Sequence, residues 1–253
     1  MKHMHIYSGG GMRLAFTLRI VQRHLQRYNQ RPNFLVGSSA GALAAAVMAS
    51  GTSATQMEFI FPRLAEITPW NVRRILRELL EKYITQLPEV PVIVQCASLH
   101  TGRMVAVNAQ DCVDLEDYHN LLASSCNIPL FMGHPGEVRV KLDEYDGLAD
   151  GGIYDHLPVT SALPYLEPGD QVTAIMTAQD PRHRYPRSRV ARQWRQIQLI
   201  WQARPLEGLP LLPQDTTIYR PGSPLPAAWR WGPRAMMRHM DAAEDAFTLL
   251  APT

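Results

Sequence analysis

Cysteine is scarce in this chain: Cys96, Cys112 and Cys126 are all there is in 253 residues, they form no CxxC pair, and their number is odd. A disulfide framework is therefore not expected, and a reducing compartment is the simplest reading. Lysine is almost missing, with three residues (Lys2, Lys82, Lys141) against 22 arginines, a bias that genome composition explains more simply than a selected binding role. Long apolar runs are missing too. The longest weakly polar stretch, residues 40–49, is interrupted by Gly41 and ends at Ser50 and Gly51, far short of the roughly 18 apolar residues of a membrane span. Met1-Lys2-His3-Met4-His5 leads straight toward the glycines at 9–11 with no apolar h-region, so no cleavable secretory signal is expected. The expectation is a cytoplasmic protein, peripheral at a membrane if its basic segment binds one, with signal-independent export left open.

What is present describes a globular chain. Apolar residues make up 46%, charged residues 19%, and the formal net charge is +2, which is too apolar and too nearly neutral for a disordered segment. Gly 16 and Pro 20 are too few for a collagen-like or low-complexity chain. The length suits one α/β domain. Charge divides it unevenly: residues 1–180 hold 14 basic and 18 acidic side chains, residues 181–253 hold 11 and 5, and ten of the twenty prolines fall in the latter part. The expected organisation is a single domain over 1–253, with a catalytic core at about 3–180 and an Arg/Pro-rich extension at 181–253 packed on it.

Residues 3–8 read as a strand that ends in Gly9-Gly10-Gly11, and residues 12–27 as a helix with one covered face. Phe34-Leu35-Val36 is a second strand, Gly37 to Gly41 a sharp turn, and residues 42–50 an alanine-rich helix. Strand, glycine loop, helix, strand, turn, helix is a βαβα order, which implies a parallel sheet with right-handed crossovers. Beyond it the pattern predicts helices at 55–67, 71–84 and 115–126, strands at 90–96, 104–108, 138–142 and 171–177, and a turn at Asp150-Gly151-Gly152.

Gly37-Ser38-Ser39-Ala40-Gly41 fits G-x-S-x-G, the nucleophile elbow, with Ser39 at its centre. A strand must turn at once into a helix, the serine takes a strained backbone, and Gly37 and Gly41 avoid Cβ clashes. Five small residues match this pattern often; the preceding apolar strand and following helix give it its weight over a plain turn. The loop Gly9-Gly10-Gly11-Met12-Arg13 exposes backbone N–H groups that suit an oxyanion hole or a phosphate cradle. Dinucleotide and P-loop readings fail, because Leu14 stands where a third glycine belongs and no Gly-Lys-Ser/Thr follows. A hydrolase triad of Ser39, Asp150 and His239 has the right chain order but sets the serine on too early a strand, and His239, in a helical stretch, reads better as a surface residue.

These motifs together resemble the patatin-like phospholipases. The resemblance rests on Gly9-Gly10-Gly11-Met12-Arg13, on Gly37-Ser38-Ser39-Ala40-Gly41, on Asp150-Gly151-Gly152, and on the intervening Leu122-Ala-Ser-Ser-Cys-Asn-Ile-Pro-Leu-Phe131, all in order. It covers about residues 3–180 and thins beyond. It implies a three-layer α/β/α fold around a mainly parallel sheet and a Ser–Asp dyad without histidine. Ser39 is then the nucleophile and Asp150 the base. Gly9, Gly10, Gly11 and Arg13 form the oxyanion loop, with the amides of Gly10 and Gly11 as donors and Arg13 orienting the loop or adding positive potential. Gly151 and Gly152 make the turn that aims the carboxylate. Asp146-Gly147 is a competing Asp-Gly that the double glycine and the family register disfavour. The chain departs from the common pattern at Cys126, Asn127 and His156.

The implied activity is hydrolysis of fatty-acyl esters of phospholipids or lysophospholipids through an acyl-enzyme, with no cofactor and no metal, since no carboxylate-rich calcium loop is apparent. A transacylase using the same acyl-enzyme and a catalytically silent lipid-binding or regulatory module are the alternatives. Residues 57–61 and 128–132 are candidates to line an acyl channel, with ordinary core packing as the competing account. Arg182, Arg184, Arg187, Arg189, Arg192 and Arg195, followed by Ile197, Leu199, Ile200 and Trp201, either contact an anionic bilayer or form a solvated face. No nucleic-acid motif accompanies them, so no nucleic-acid partner is expected, and the oligomeric state is not set by the sequence.

Overall fold

The computed structural model describes residues 1–127, 147–153, 155–177, 209–222, 225–226 and 230–249. The strand expected at 138–142, the acyl-channel candidate at 128–132 and the basic segment from Arg182 to Trp201 lie outside the described residues.

Among the described residues seven strands form one sheet: β1 (His3–Tyr7), β2 (Phe34–Ser38), β3 (Val92–Ser98), β4 (Arg103–Asn108), β5 (Leu148–Asp150), β6 (Gln171–Ile175) and β7 (Thr217–Tyr219). The order is β4-β3-β2-β1-β6-β7. The five strands from β3 to β7 across the middle run parallel, and only β4 and β5, both paired with β3, run antiparallel. Parallel strands covered on both faces should read as unbroken apolar runs; β2 is accordingly buried at all five positions and β3 at all seven.

The α-helices of the described residues are α1 (Leu14–Tyr28), α2 (Ala40–Ala49), α3 (Ala54–Met57), α4 (Ile60–Ala65), α5 (Val72–Tyr83), α6 (Leu115–Ser125), α7 (Val159–Ala162) and α8 (Pro233–Leu249). Two hydrophobic clusters separate along the alternation of β1. Tyr7 joins the larger one, with α1, α2, α5, α6 and α8, while Met4 and Ile6 join the smaller one with Leu157, Val159, Ala162 and Leu212. Helices therefore flank the sheet on both faces. α2 is buried almost all round, as a helix of nine apolar residues and one glycine must be when it sits between sheet and outer helices. α8 packs along α1 through Met236, Ala242, Ala243 and Ala246, and Glu244 ties to Arg19 and Arg23. Among the described residues no helix is long and apolar enough to cross a membrane.

The helix expected at 55–67 is two short ones, broken at Glu58 and Phe59. Pro62 is the reason: it has no N–H to donate and its ring clashes with the carbonyl one turn back, so it is accommodated only in a first turn, and a new helix starts at Ile60. Asp150, expected within a turn with Gly151 and Gly152, instead ends the short strand β5. His239 is not on the surface: it is 1% exposed on the inner side of α8, where its neighbours every three to four residues are the apolar Ala235, Met236, Ala242 and Ala243.

Candidate active site

β2 ends against β3, with Ser38 opposite Gln95, and there the chain leaves the sheet. The edge of β3 that it vacates is taken up at once by β5, running the other way with Asp150 opposite Cys96. The two chain reversals thus meet on adjacent rungs of one strand. Ser39 Oγ donates to Asp150 Oδ2 at 2.6 Å.

Ser39 has φ 54° and ψ −127°, a left-handed backbone that a serine adopts only when its surroundings enforce it, at a cost of about 1–3 kcal/mol. Three things enforce it. A Cβ on Gly37 would lie 2.5 Å from Gly41 O, and one on Gly41 would lie 2.2 Å from Tyr7 O, so α2 presses directly onto β1 and β2. The Ser39 N–H donates to Ser125 Oγ at 2.9 Å, and the Ser125 hydroxyl donates in turn to Gln95 O at 2.7 Å. Ala42 N–H, finally, donates back to Ser39 O at 2.9 Å.

The carboxylate is held as firmly. Asp150 N–H donates to Asn127 O at 3.0 Å, and Gly152 N–H donates to Oδ1 at 2.8 Å, leaving Oδ2 to the serine. Gly151 is required by proximity more than by dihedral freedom, because a Cβ there would meet Gln95 O at 2.2 Å. Gln95 then spans the site: its amide donates to Gly151 O and Asp155 O, and its Oε1 accepts from Ser161. Burial pushes the Asp150 pKa up from 3.8 to about 6, against the opposing pull of the Ser39 and Gly152 hydrogen bonds. A carboxylate so placed is ionised near neutrality yet a far better proton acceptor than an exposed one.

The glycine loop lies beside the pair. A Cβ on Gly9 would be 3.2 Å from Ser39 Cβ. The four residues proposed for the oxyanion loop do not play one part. Gly9 N–H is already committed to His156 O at 2.8 Å, so it has no proton to offer a ligand. Gly10 and Gly11 make no N–H hydrogen bond among the described residues, and both have positive φ, 156° and 55°. Arg13 is 5% exposed and turned inward, donating to Thr177 O at 2.9 Å and Pro226 O at 3.2 Å. It anchors the loop to the end of β6 and to the C-terminal segment. Thr177 completes the anchorage: its hydroxyl donates to Gly9 O and its N–H to Ser8 Oγ.

Sequence reasoning missed Gln95, Ser125 and Thr177. Ser125 lies in the segment from Leu122 that carried part of the resemblance, so its position was marked though its partner was not; Gln95 and Thr177 give no local signal. His156, noted only as a departure, sits at the rim with its Nδ1 facing Gly9 and Gly152. Burial and the neighbouring Arg13 hold its pKa down to about 3, so the ring is neutral. His239 is likewise held down to about 4 by burial and by Arg13; no hydrogen bond joins it to Ser39 or Asp150.

One apolar pocket opens between the helices that start at these loops. Its cavity volume is only about 30 Å³, and it is lined by residues including Leu14 and Leu18 of α1, Leu43 and Val47 of α2, Ile60 and Leu64 of α4, and Leu76, Leu79 and Tyr83 of α5. Leu14 follows Arg13 directly, and Leu43 N–H reaches back to Ser39 O at 3.4 Å. Of residues 57–61, Met57, Ile60 and Phe61 are buried and Phe59 is 63% exposed. Only Ile60 reaches the pocket; Met57 and Phe61 are core.

Residues 6–87 match the family model for patatin-like phospholipase, a span that holds the glycine loop and the elbow but not Asp150. No curated protein matches the chain significantly. Among solved structures it is similar to VipD from Legionella pneumophila, at a TM-score of 0.59 and 12% identity over 98% of this chain. That likeness is one of fold, and this chain spans 66% of the VipD chain.

Proposed function

We propose that the protein is a lipid acyl hydrolase in which Ser39 is the nucleophile and Asp150 its only proton acceptor. The observation that carries this reading is the 2.6 Å Ser39 Oγ to Asp150 Oδ2 hydrogen bond at a strained elbow, with Asp150 poised near pH 6. Asp150 takes the serine proton as Oγ attacks the ester carbonyl. The tetrahedral oxyanion is stabilised by the N–H groups of Gly10 and Gly11, and the proton passes to the departing alcohol as the C–O bond breaks. Asp150 then deprotonates a water that attacks the acyl-Ser39 ester, and the fatty acid leaves with the enzyme restored. The match over residues 6–87 supports an acyl ester as substrate, and the apolar side chains that begin one turn beyond Ser39 favour a fatty-acyl chain on its acid side, for which the small cavity between them has to widen.

The test is hydrolysis of p-nitrophenyl esters of graded chain length and of phospholipid in mixed micelles. Wild type should turn over both, and Ser39→Ala neither, with an unchanged circular dichroism spectrum. Undiminished hydrolysis by Ser39→Ala would overturn the reading.

A further inference from the structure

A second cluster of chemically competent side chains lies at the other end of the sheet. His3 and His5 are two apart on β1, so they share the face that α1 covers, and His24 of α1 comes down onto them. Ring nitrogens of all three lie within 4.8 Å of one another. The rings are set edge to face: centroids are 4.7 Å apart for His3 and His5 and 4.8 Å for His5 and His24. From the geometry we infer that His3, His5 and His24 form a binding site for a divalent first-row transition metal, of which Zn²⁺ is the expected occupant.

The distances suit that ion. Two imidazole nitrogens each about 2.0–2.1 Å from one tetrahedral ion are separated by about 3.3–3.4 Å, and His3 Nε2 and His5 Nε2 stand 3.3 Å apart. Bringing the widest gap of 4.8 Å to that value asks for a shift of about 1.5 Å, the scale of one side-chain rotation. A shared proton explains 3.3 Å between His3 and His5 equally well, but not His24. That residue is 7% exposed, and neither of its ring nitrogens has any hydrogen-bond partner. Burying an imidazole so close to two others without satisfying it is costly, and a metal ion supplies the missing partner.

The surroundings supply an outer shell. His5 Nδ1 is hydrogen-bonded to Tyr7 OH at 2.8 Å, which fixes the ring and directs Nε2 toward His3. An all-imidazole set favours Zn²⁺, Cu²⁺, Ni²⁺ or Co²⁺ over Mg²⁺ or Ca²⁺, which require oxygen ligands. Three protein ligands leave one position for water, and His3, only half-buried, gives the ion its way in. The site pins the first strand to α1. It lies at the amino end of β1, whereas Ser39 follows the carboxyl end of β2, so it is separate from the site of the proposed ester hydrolysis.

The experiment uses untagged, EDTA-stripped full-length protein titrated with Co²⁺ and then Zn²⁺, followed by visible absorption, calorimetry and thermal melting. The expected result is one Co²⁺ per chain with the intense d–d bands of a four-coordinate ion, displaced by Zn²⁺, together with a rise in melting temperature. His3→Gln, at the half-exposed ligand, should remove the bands and weaken binding at least 100-fold. Tyr7→Phe should weaken it about 10–100-fold, and His100→Gln, an exposed histidine elsewhere, should leave it unchanged. Should His24→Gln fail to fold, His3→Gln alone decides. Absence of stoichiometric binding by wild type, or affinity unaltered in His3→Gln, would overturn the inference.

Discussion

Ser39 and Asp150 are 111 residues apart in sequence, yet their side-chain oxygens lie 2.6 Å apart, because Asp150 and Ser38, the residue just before Ser39, occupy successive rungs on one edge of β3. Ser38, opposite Gln95, is the last residue that β2 pairs there, and Asp150, opposite Cys96, is the first that β5 pairs. The sheet itself measures the spacing, and no flexible loop has to close for the contact to form. A rigid scaffold of this kind is what a two-residue mechanism needs, since the base is oriented by backbone groups and not by a third catalytic side chain.

The pH dependence follows from the burial of Asp150. Its carboxyl must be ionised to accept a proton, and burial raises its pKa to about 6. The kcat/KM for a short-chain ester should therefore rise about tenfold per pH unit below pH 6 and level off above it. A profile flat from pH 5 to 7 would show that a different group is the base.

The same burial has a cost in stability. The folded state binds the Asp150 proton more tightly than the unfolded chain, whose value lies near 3.8. Stability contributed by this group is therefore full below pH 4 and is lost as pH rises through 6, by about 2–3 kcal/mol in all. Asp150→Asn should be nearly inactive yet melt higher than wild type at pH 8, with the difference shrinking toward pH 4. Equal melting temperatures at pH 8 would contradict the assigned environment.

Ser125 supports the elbow without touching a substrate. Ser125→Ala leaves the buried Ser39 N–H and Gln95 O without their partner, a loss of about 1–3 kcal/mol. Activity should fall mainly in kcat, and Ser125→Thr, which restores the hydroxyl, should recover part of it. Loss of stability with an unchanged kcat would make the contact purely structural.

Gly10 is the most sensitive point of the glycine loop. A Cβ there would lie 2.5 Å from Thr177 Oγ1, forcing the loop away from Ser39. Displacing an oxyanion donor is worth about 2.7–4 kcal/mol, so Gly10→Ala should lower kcat at least 100-fold, and the clash should lower the melting temperature as well. Arg13→Lys should instead act through stability, because Arg13 donates to two carbonyls and not toward the serine.

Acyl-chain preference should respond to the pocket. Leu79 lines it from α5 and is only partly buried, so Leu79→Trp fills it with the least strain elsewhere. The variant should retain activity on butyrate esters and lose it on long-chain ones. An unaltered chain-length profile would place the acyl chain elsewhere.

Much of this was legible in the sequence, and the physical reasons differ by element. The order from β1 to α2 is visible because each strand is a short apolar run closed by glycines, and those glycines are fixed by contacts that leave no room for a Cβ. Ser39 and Asp150 were marked by local motifs. The three-residue strand carrying Asp150 was not, because it pairs with β3, far away in sequence. Gln95 and Thr177 escaped for the same reason: each acts through long-range bonds to backbone carbonyls. The split of one expected helix at Pro62 had a local signal, and the burial of His239 had one as well, in the apolar residues spaced around it.

The central claim is that Ser39 is a nucleophile activated by Asp150 alone. Labelling with a fluorophosphonate, read by intact mass and peptide mapping, tests it most directly. The account predicts one adduct, on Ser39 and not on the fully buried Ser38, formed at least 100-fold more slowly in Asp150→Asn and not at all in Ser39→Ala. An adduct on Ser38, or labelling of Ser39→Ala at the wild-type rate, would contradict it.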